Sequence, residues 1–132
     1  MRSHCEFRST ILSDEAGVGT APKGKTVAAF MEAELPKHGY LIERVYPEDW
    51  GWCVQIANSA FPLIIGCGHY EEWPDGHLCF IEPHKPYVRR SVKRITTVEV
   101  VESLATAMEE VLCRQGQVTD FRWWTEAEVA RG

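Results

Sequence analysis

The stretch from Tyr40 to Glu82 leaves the chain little choice of fold. Four segments in it carry strand-forming composition: Tyr40–Tyr46, Trp52–Ala57, Pro62–His69 and His77–Ile81. The links between them are Pro47-Glu48-Asp49, Asn58-Ser59 and Trp73-Pro74-Asp75-Gly76. Links this short return the chain antiparallel, because a parallel crossover needs a dozen or more residues. A meander of this kind needs cover on one face, and the helical segments on either side of it in sequence can supply it. The expected fold is therefore α+β: a mainly antiparallel sheet of five or six strands with two main helices packed on one face.

A chain of 132 residues, 45% hydrophobic and 25% charged, suits one globular domain spanning 1–132. Its 14 basic and 19 acidic residues give a net charge of −5, which argues against wholesale binding to a nucleic-acid backbone. The longest apolar run, Ala60 to Cys67, contains Pro62 and Gly66 and falls well short of the roughly 20 residues of a membrane span. The polar start Met1–Arg8 has no signal-peptide core. Cysteines at 5, 53, 67, 79 and 113 form an odd, scattered set, as expected of reduced thiols in a cytoplasm.

Along the chain, alternation over Glu6–Leu12 predicts a short strand at a sheet edge, followed by a glycine-bearing loop to Lys25. A first helix is predicted from Lys25 to about His38, with Val27, Phe30, Met31 and Leu35 as its apolar stripe. Pro36 should disturb its last turn, and Gly39 suits a left-handed cap. Pro83 to Arg94 reads as irregular. Thr96 followed by Glu99 matches a capping box, and Val98, Val101, Leu104, Ala105, Met108, Val111 and Leu112 predict a second helix to about Arg114. Val118–Trp124 reads as a further strand whose alternation puts Trp123 and Trp124 on opposite faces, with Thr125 to Glu128 capping a terminal turn.

Several strings invite chemistry. Gly19 to Thr26 satisfies the phosphate-loop pattern, in which Lys23, Gly24, Lys25 and Thr26 would hold an anion at a helix start. The context lacks a buried parallel strand and a metal-holding aspartate, so weak anion binding is expected at most, and no nucleotide or other cofactor. Cys67, His69, His77 and Cys79 would converge as zinc ligands only if 69 registered against 77 and 67 against 79, and no metal is expected. Glu48, Asp49 and Trp50 lie in a turn rich in carboxylates and indoles. Arg89 and Arg90, with Lys85, Lys93 and Arg94, form a basic connector. No serine or histidine sits in a nucleophile pattern, so no catalytic residue is nominated.

Arg8-Ser9, Pro47-Glu48-Asp49-Trp50-Gly51-Trp52, Gly66-Cys67-Gly68, Phe80-Ile81-Glu82-Pro83, Lys85-Pro86 and Arg122-Trp123-Trp124 together resemble a family of small uncharacterised bacterial proteins. The resemblance covers nearly the full chain. It implies a bacterial source and an intact domain, and it carries over no activity, ligand or catalytic residue. Separation of acidic loops from a basic connector, with an aromatic end at Trp124, favours a non-enzymatic cytoplasmic protein-interaction domain of the inhibitor, immunity or adaptor type. Glu48, Asp49, Trp50, Arg89, Arg90 and Trp124 are its candidate contacts. The alternative is a small-molecule-binding protein or enzyme using the loop 47–52.

Overall fold

A computed structural model describes residues 1–14 and 22–132. Among these, strands run over His4–Arg8 (β1), Ile42–Glu48 (β2), Gly51–Ile56 (β3), Leu63–His69 (β4), Gly76–Glu82 (β5), Tyr87–Arg90 (β6), Lys93–Thr96 (β7) and Thr119–Trp123 (β8). Helices run over Lys25–Glu34 (α1), Val98–Arg114 (α2) and Glu126–Arg131 (α3). Six strands form one antiparallel sheet in the order β2-β3-β4-β5-β1-β8, and β6 pairs with β7 as a separate hairpin. The chain is α+β. No helix among the described residues is long and apolar enough to cross a membrane.

Period-two alternation divides the sheet into two faces. Directly paired residues share a face, so Cys5, Cys79, Cys67 and Trp52 form one row and His4, Phe80, Gly66, Cys53 and Tyr46 form a row on the other side. The first face is covered. α1 lies against β2, β3 and β4 through Val27, Ala28 and Met31. α2 is tied to the β1–β8 side by Arg2 Nε to Glu102 Oε2 (2.9 Å) and Trp123 Nε1 to Glu109 Oε1 (2.7 Å). Its buried Val101, Leu104, Met108, Val111 and Leu112 contribute roughly 1.5–3 kcal/mol each by leaving water. α1 ends as anticipated: Pro36 turns Leu35–His38 into a 3-10 turn, and Gly39 closes it at φ 90°.

Three details differ from the sequence expectation. The first strand is interior rather than an edge. It ends at Arg8 because the Ser9 hydroxyl accepts from Leu12 N–H and the Ser13 hydroxyl donates back to Ser9 C=O, folding 9–13 into a turn. The C-terminal β8 then pairs along its outer side, which local pattern cannot foresee. Second, the supposedly irregular 83–94 contains most of the β6–β7 hairpin. Val88 and Ile95 are partners across it and pack on the core, while the basic residues mask that alternation. Third, α2 starts one residue later than the capping-box reading. Thr97 is the N-cap, fully buried, and its hydroxyl donates to Lys85 C=O rather than capping the helix. A complete capping box does occur at Thr125 and Glu128 of α3.

Removing the hydroxyl of the buried Thr97 takes the donor from the Lys85 carbonyl, whereas the Thr96 side chain is solvent-exposed. Thr97→Val should lower unfolding free energy by about 1–3 kcal/mol, and Thr96→Val by less than about 0.5 kcal/mol, in urea titrations. Equal losses would return the cap to Thr96.

Candidate functional site

The uncovered face of the sheet carries a line of aromatic rings. Phe80 lies flat across the strand because Gly66, its neighbour on β4, has no side chain: a Cβ there would meet the Phe80 ring. On one side Trp50 reaches back from the β2–β3 turn to Phe80 (centroids 5.1 Å apart). On the other, His4 stacks on Phe80 at 5.5 Å and Trp124 stacks on His4 at 5.9 Å. Tyr70 then bridges Trp124 and Trp73, and Arg8 sits 5.1 Å over Trp73. The line runs without a break from the β2–β3 turn to the C-terminal strand, and Trp50 is 48% exposed at its end.

Beneath Trp124 lies Glu6, a carboxylate almost wholly removed from water. It accepts from Trp124 Nε1 at 2.9 Å and pairs with Arg122 at 2.7 Å. Such burial is tolerated only with partners of this quality. Arg122 also grips Glu128 through both guanidinium nitrogens, at 3.0 and 2.6 Å. Arg122 and the Thr125 backbone N–H pull the Glu128 carboxyl down to about 2. Burial, with the nearby His84, holds His4 below the usual imidazole range. Ser3 Oγ lies 2.9 Å from His4 Nδ1, but the Glu82 carboxylate orients His84, at 2.7 Å, rather than His4. The Ser3–His4 contact therefore lacks the third group that a nucleophile triad requires.

The predicted contacts do not form one cluster. Glu48, Asp49 and Trp50 sit at the β2–β3 turn, and Trp124 joins Trp50 only through Phe80 and His4. Arg89 and Arg90 lie on the β6–β7 hairpin, which Arg90 anchors to the β3–β4 link by donating to Ala60 C=O at 2.7 Å. Sequence reading missed Phe80, His4, Tyr70 and Glu6. The available signal was the pairing of a glycine in Gly66-Cys67-Gly68 with an aromatic on the next strand, legible only once the register is known.

At the start of α1 the chain supplies its own anion. Asp14 accepts from Gly24 N–H and Thr26 N–H, both at 2.9 Å, through separate carboxylate oxygens. Those are donors an external phosphate would use. Gly19, Thr20 and Ala21 of the phosphate-loop pattern lie outside the described residues. Lys25 Nζ lies 5.5 Å over the Trp52 ring, and Lys23 is exposed. Burial opposes charge on Asp14, but the bonds from Thr26 and Gly24 outweigh it and hold the carboxyl below its ordinary range.

The β4–β5 register does set His69 opposite His77 and Cys67 opposite Cys79. Cys5 extends the thiol row on β1. His77 is engaged elsewhere, with Nε2 2.9 Å from Ser9 C=O and its ring stacked on Phe7. Among the described residues no group of three or more histidine, cysteine or acidic side chains is arranged to hold a metal. Hydrogen bonds to Cys79 and burial push the Cys5 and Cys67 thiols up, and the same bonds pull Cys79 down. A groove of about 460 Å³ lies away from the aromatic line, where Phe30, Lys37, His38, Val111 and Arg114 meet. Lys37 there pairs with Glu34 at 2.9 Å and His38 with Glu110 at 3.4 Å.

Comparison with protein-family models, curated proteins and solved structures returns no match.

Two outcomes follow from this geometry. Asp14→Ala should cost about 1 kcal/mol at neutral pH, as loss of a helix cap does. Because the folded carboxyl is depressed, its contribution is full above the unfolded value near 3.8 and disappears as pH falls through the folded one. The gap between wild type and variant in urea midpoints should therefore narrow as pH falls below that unfolded value. Gly66→Ala should cost about 1–3 kcal/mol by displacing the Phe80 ring, and less in a Phe80→Ala background. An additive double-mutant cycle would separate the two positions.

Proposed function

We propose that this is a non-enzymatic protein-interaction domain that receives a partner on the open face of its sheet. The observation that carries this reading is the unbroken line Trp50–Phe80–His4–Trp124 on the face opposite α1 and α2. Aromatic side chains held by their neighbours present large contact area at little entropic cost, and they dominate the energetics of protein interfaces. The acidic residues Glu48, Asp49, Glu71 and Glu72 lie in the turns at one end of this face and supply a charged rim. An inhibitor, immunity protein or adaptor would use such a surface. The resemblance to small bacterial proteins and the five free cysteines favour the reducing cytoplasm of a bacterium.

Trp50 is the residue to remove, because it is half-exposed and its loss leaves the core intact. Capture of partners from native cytoplasm by the untagged chain should weaken about tenfold or more with Trp50→Ala, the loss expected of a hot-spot indole. Glu32→Lys, on the exposed side of α1, should leave capture unchanged. Equal capture by wild type and Trp50→Ala would reject the open face as the docking surface.

A further inference from the structure

Two clusters of exposed like charge lie at opposite ends of the sheet. The β2–β3 and β4–β5 turns share one end, and carry Glu48, Asp49, Glu71 and Glu72. The β3–β4 link and the β6–β7 hairpin share the other. Across the hairpin Arg89 faces Arg94 and Arg90 faces Lys93, so both cross-strand pairs are of like sign. Like charges directly opposite destabilise a strand pair. Among the ion pairs of the described residues, none includes these four cations or those four carboxylates. Arg94 instead lies 3.9 Å over the Tyr87 ring, and Val92 at the hairpin tip is 91% exposed. Five of the fourteen basic residues fall between 85 and 94, with no acidic one beside them, leaving nine against nineteen in the remainder. The hairpin is thus a basic, apolar-tipped arm on an acidic body.

We infer that the occupant of the open face is a second copy of this chain, stacked face to face with its strands reversed, so that each basic arm meets the other copy's acidic turns. The inference rests on the reading of the open face as a protein-docking surface and names its partner. A two-fold axis in the plane between the sheets, perpendicular to the strands, keeps both open faces inward and exchanges their ends. Both charge contacts then form at once, the contact closes at two copies, and no open filament results. Five inter-strand spacings of about 4.8 Å by about 20 Å of strand give roughly 500 Å² on each copy. Together that is about 1,000 Å² before the arms are counted, the lower bound for a specific interface. The aromatic line supplies its apolar centre, and the two charged ends fix its direction. Lying an arm against carboxylates also relieves the repulsion between Arg89 and Arg94.

Charge exchange tests this directly, with mass measured by light scattering or sedimentation on the full chain. Wild type should reach twice the chain mass as concentration rises. Arg89→Glu with Arg94→Glu should weaken association at least about tenfold, and so should Glu48→Lys with Asp49→Lys, each variant now carrying like charges on arm and turns. An equimolar mixture of the two should recover the doubled mass, since each reversed arm then meets a reversed turn. These residues are exposed and join no ion pair among the described residues, and unchanged melting temperatures would confirm that the variants fold. A wild type that stays single at every concentration overturns the inference, as does a mixture that stays single or a mass that grows past two copies. A single chain that retains a labelled DNA duplex through Arg89 and Arg94 overturns it too, by giving the arm to nucleic acid. If the chain is single while Trp50→Ala still abolishes capture of another protein, the second copy is wrong and the docking face stands.

Discussion

The backbone ladder between His4–Arg8 and Gly76–Phe80 is the joint from which the rest of the sheet hangs. The meander from β2 to β5 could close by local hairpins alone. β8 cannot, because it reaches the sheet through β1, and β1 is held in place by β5. The same strand brings Arg2 to α2 and sets Glu6 under Trp124. Residues separated by a hundred positions or more are thereby made neighbours. Such pairings form late, because the loop must close before any contact rewards it. The aromatic line crosses that joint, so the candidate surface exists only after the two ends of the chain have been incorporated.

The meander, both main helices and their packing on one face were legible in the residues, because short links and three-four spacing are local signals. Pro36, Gly39 and the opposite facing of Trp123 and Trp124 were legible for the same reason. What could not be read was non-local or masked. The interior position of β1 depends on a partner near residue 120. The β6–β7 hairpin was hidden because Arg89, Arg90, Lys93 and Arg94 make its alternation look like an undifferentiated charge run. Thr96 matches the capping box in sequence, but Thr97 is the N-cap, with its hydroxyl held by the distant Lys85 carbonyl. Trp50 and Trp124 were visible as aromatics at opposite ends of the chain, but Phe80 and His4, which connect them, needed the register.

Two acidic residues show how far the chain satisfies itself. Asp14 occupies the donors of a helix start, and Glu6 is enclosed by an indole and a guanidinium. Both are carboxylates whose sequence context suggests nothing unusual, yet both are immobilised by backbone or ring donors. A motif that resembles a phosphate cradle therefore sits beside a group that competes for it at short range. Glu48 and Asp49 at the β2–β3 turn and Arg89 and Lys93 on the β6–β7 arm are of the other kind, exposed and in no ion pair among the described residues. Internal pairing governs architecture here, and these exposed charges take no part in it.

The thiol row carries a consequence for how the protein is made rather than for how it works. In the finished fold Cys5, Cys67 and Cys79 are sealed between sheet and helices, beyond the reach of any oxidant in solution. The β4–β5 hairpin that sets Cys67 opposite Cys79 is local, and it can pair before α2 has left the ribosome or β1 has found its place. During that interval two sulfurs face each other without cover, open to a disulfide or oxidant arriving from solution. For these three thiols redox vulnerability thus belongs to the nascent chain, and closure of the helical layer ends it, whereas Cys113 stays exposed in the finished fold.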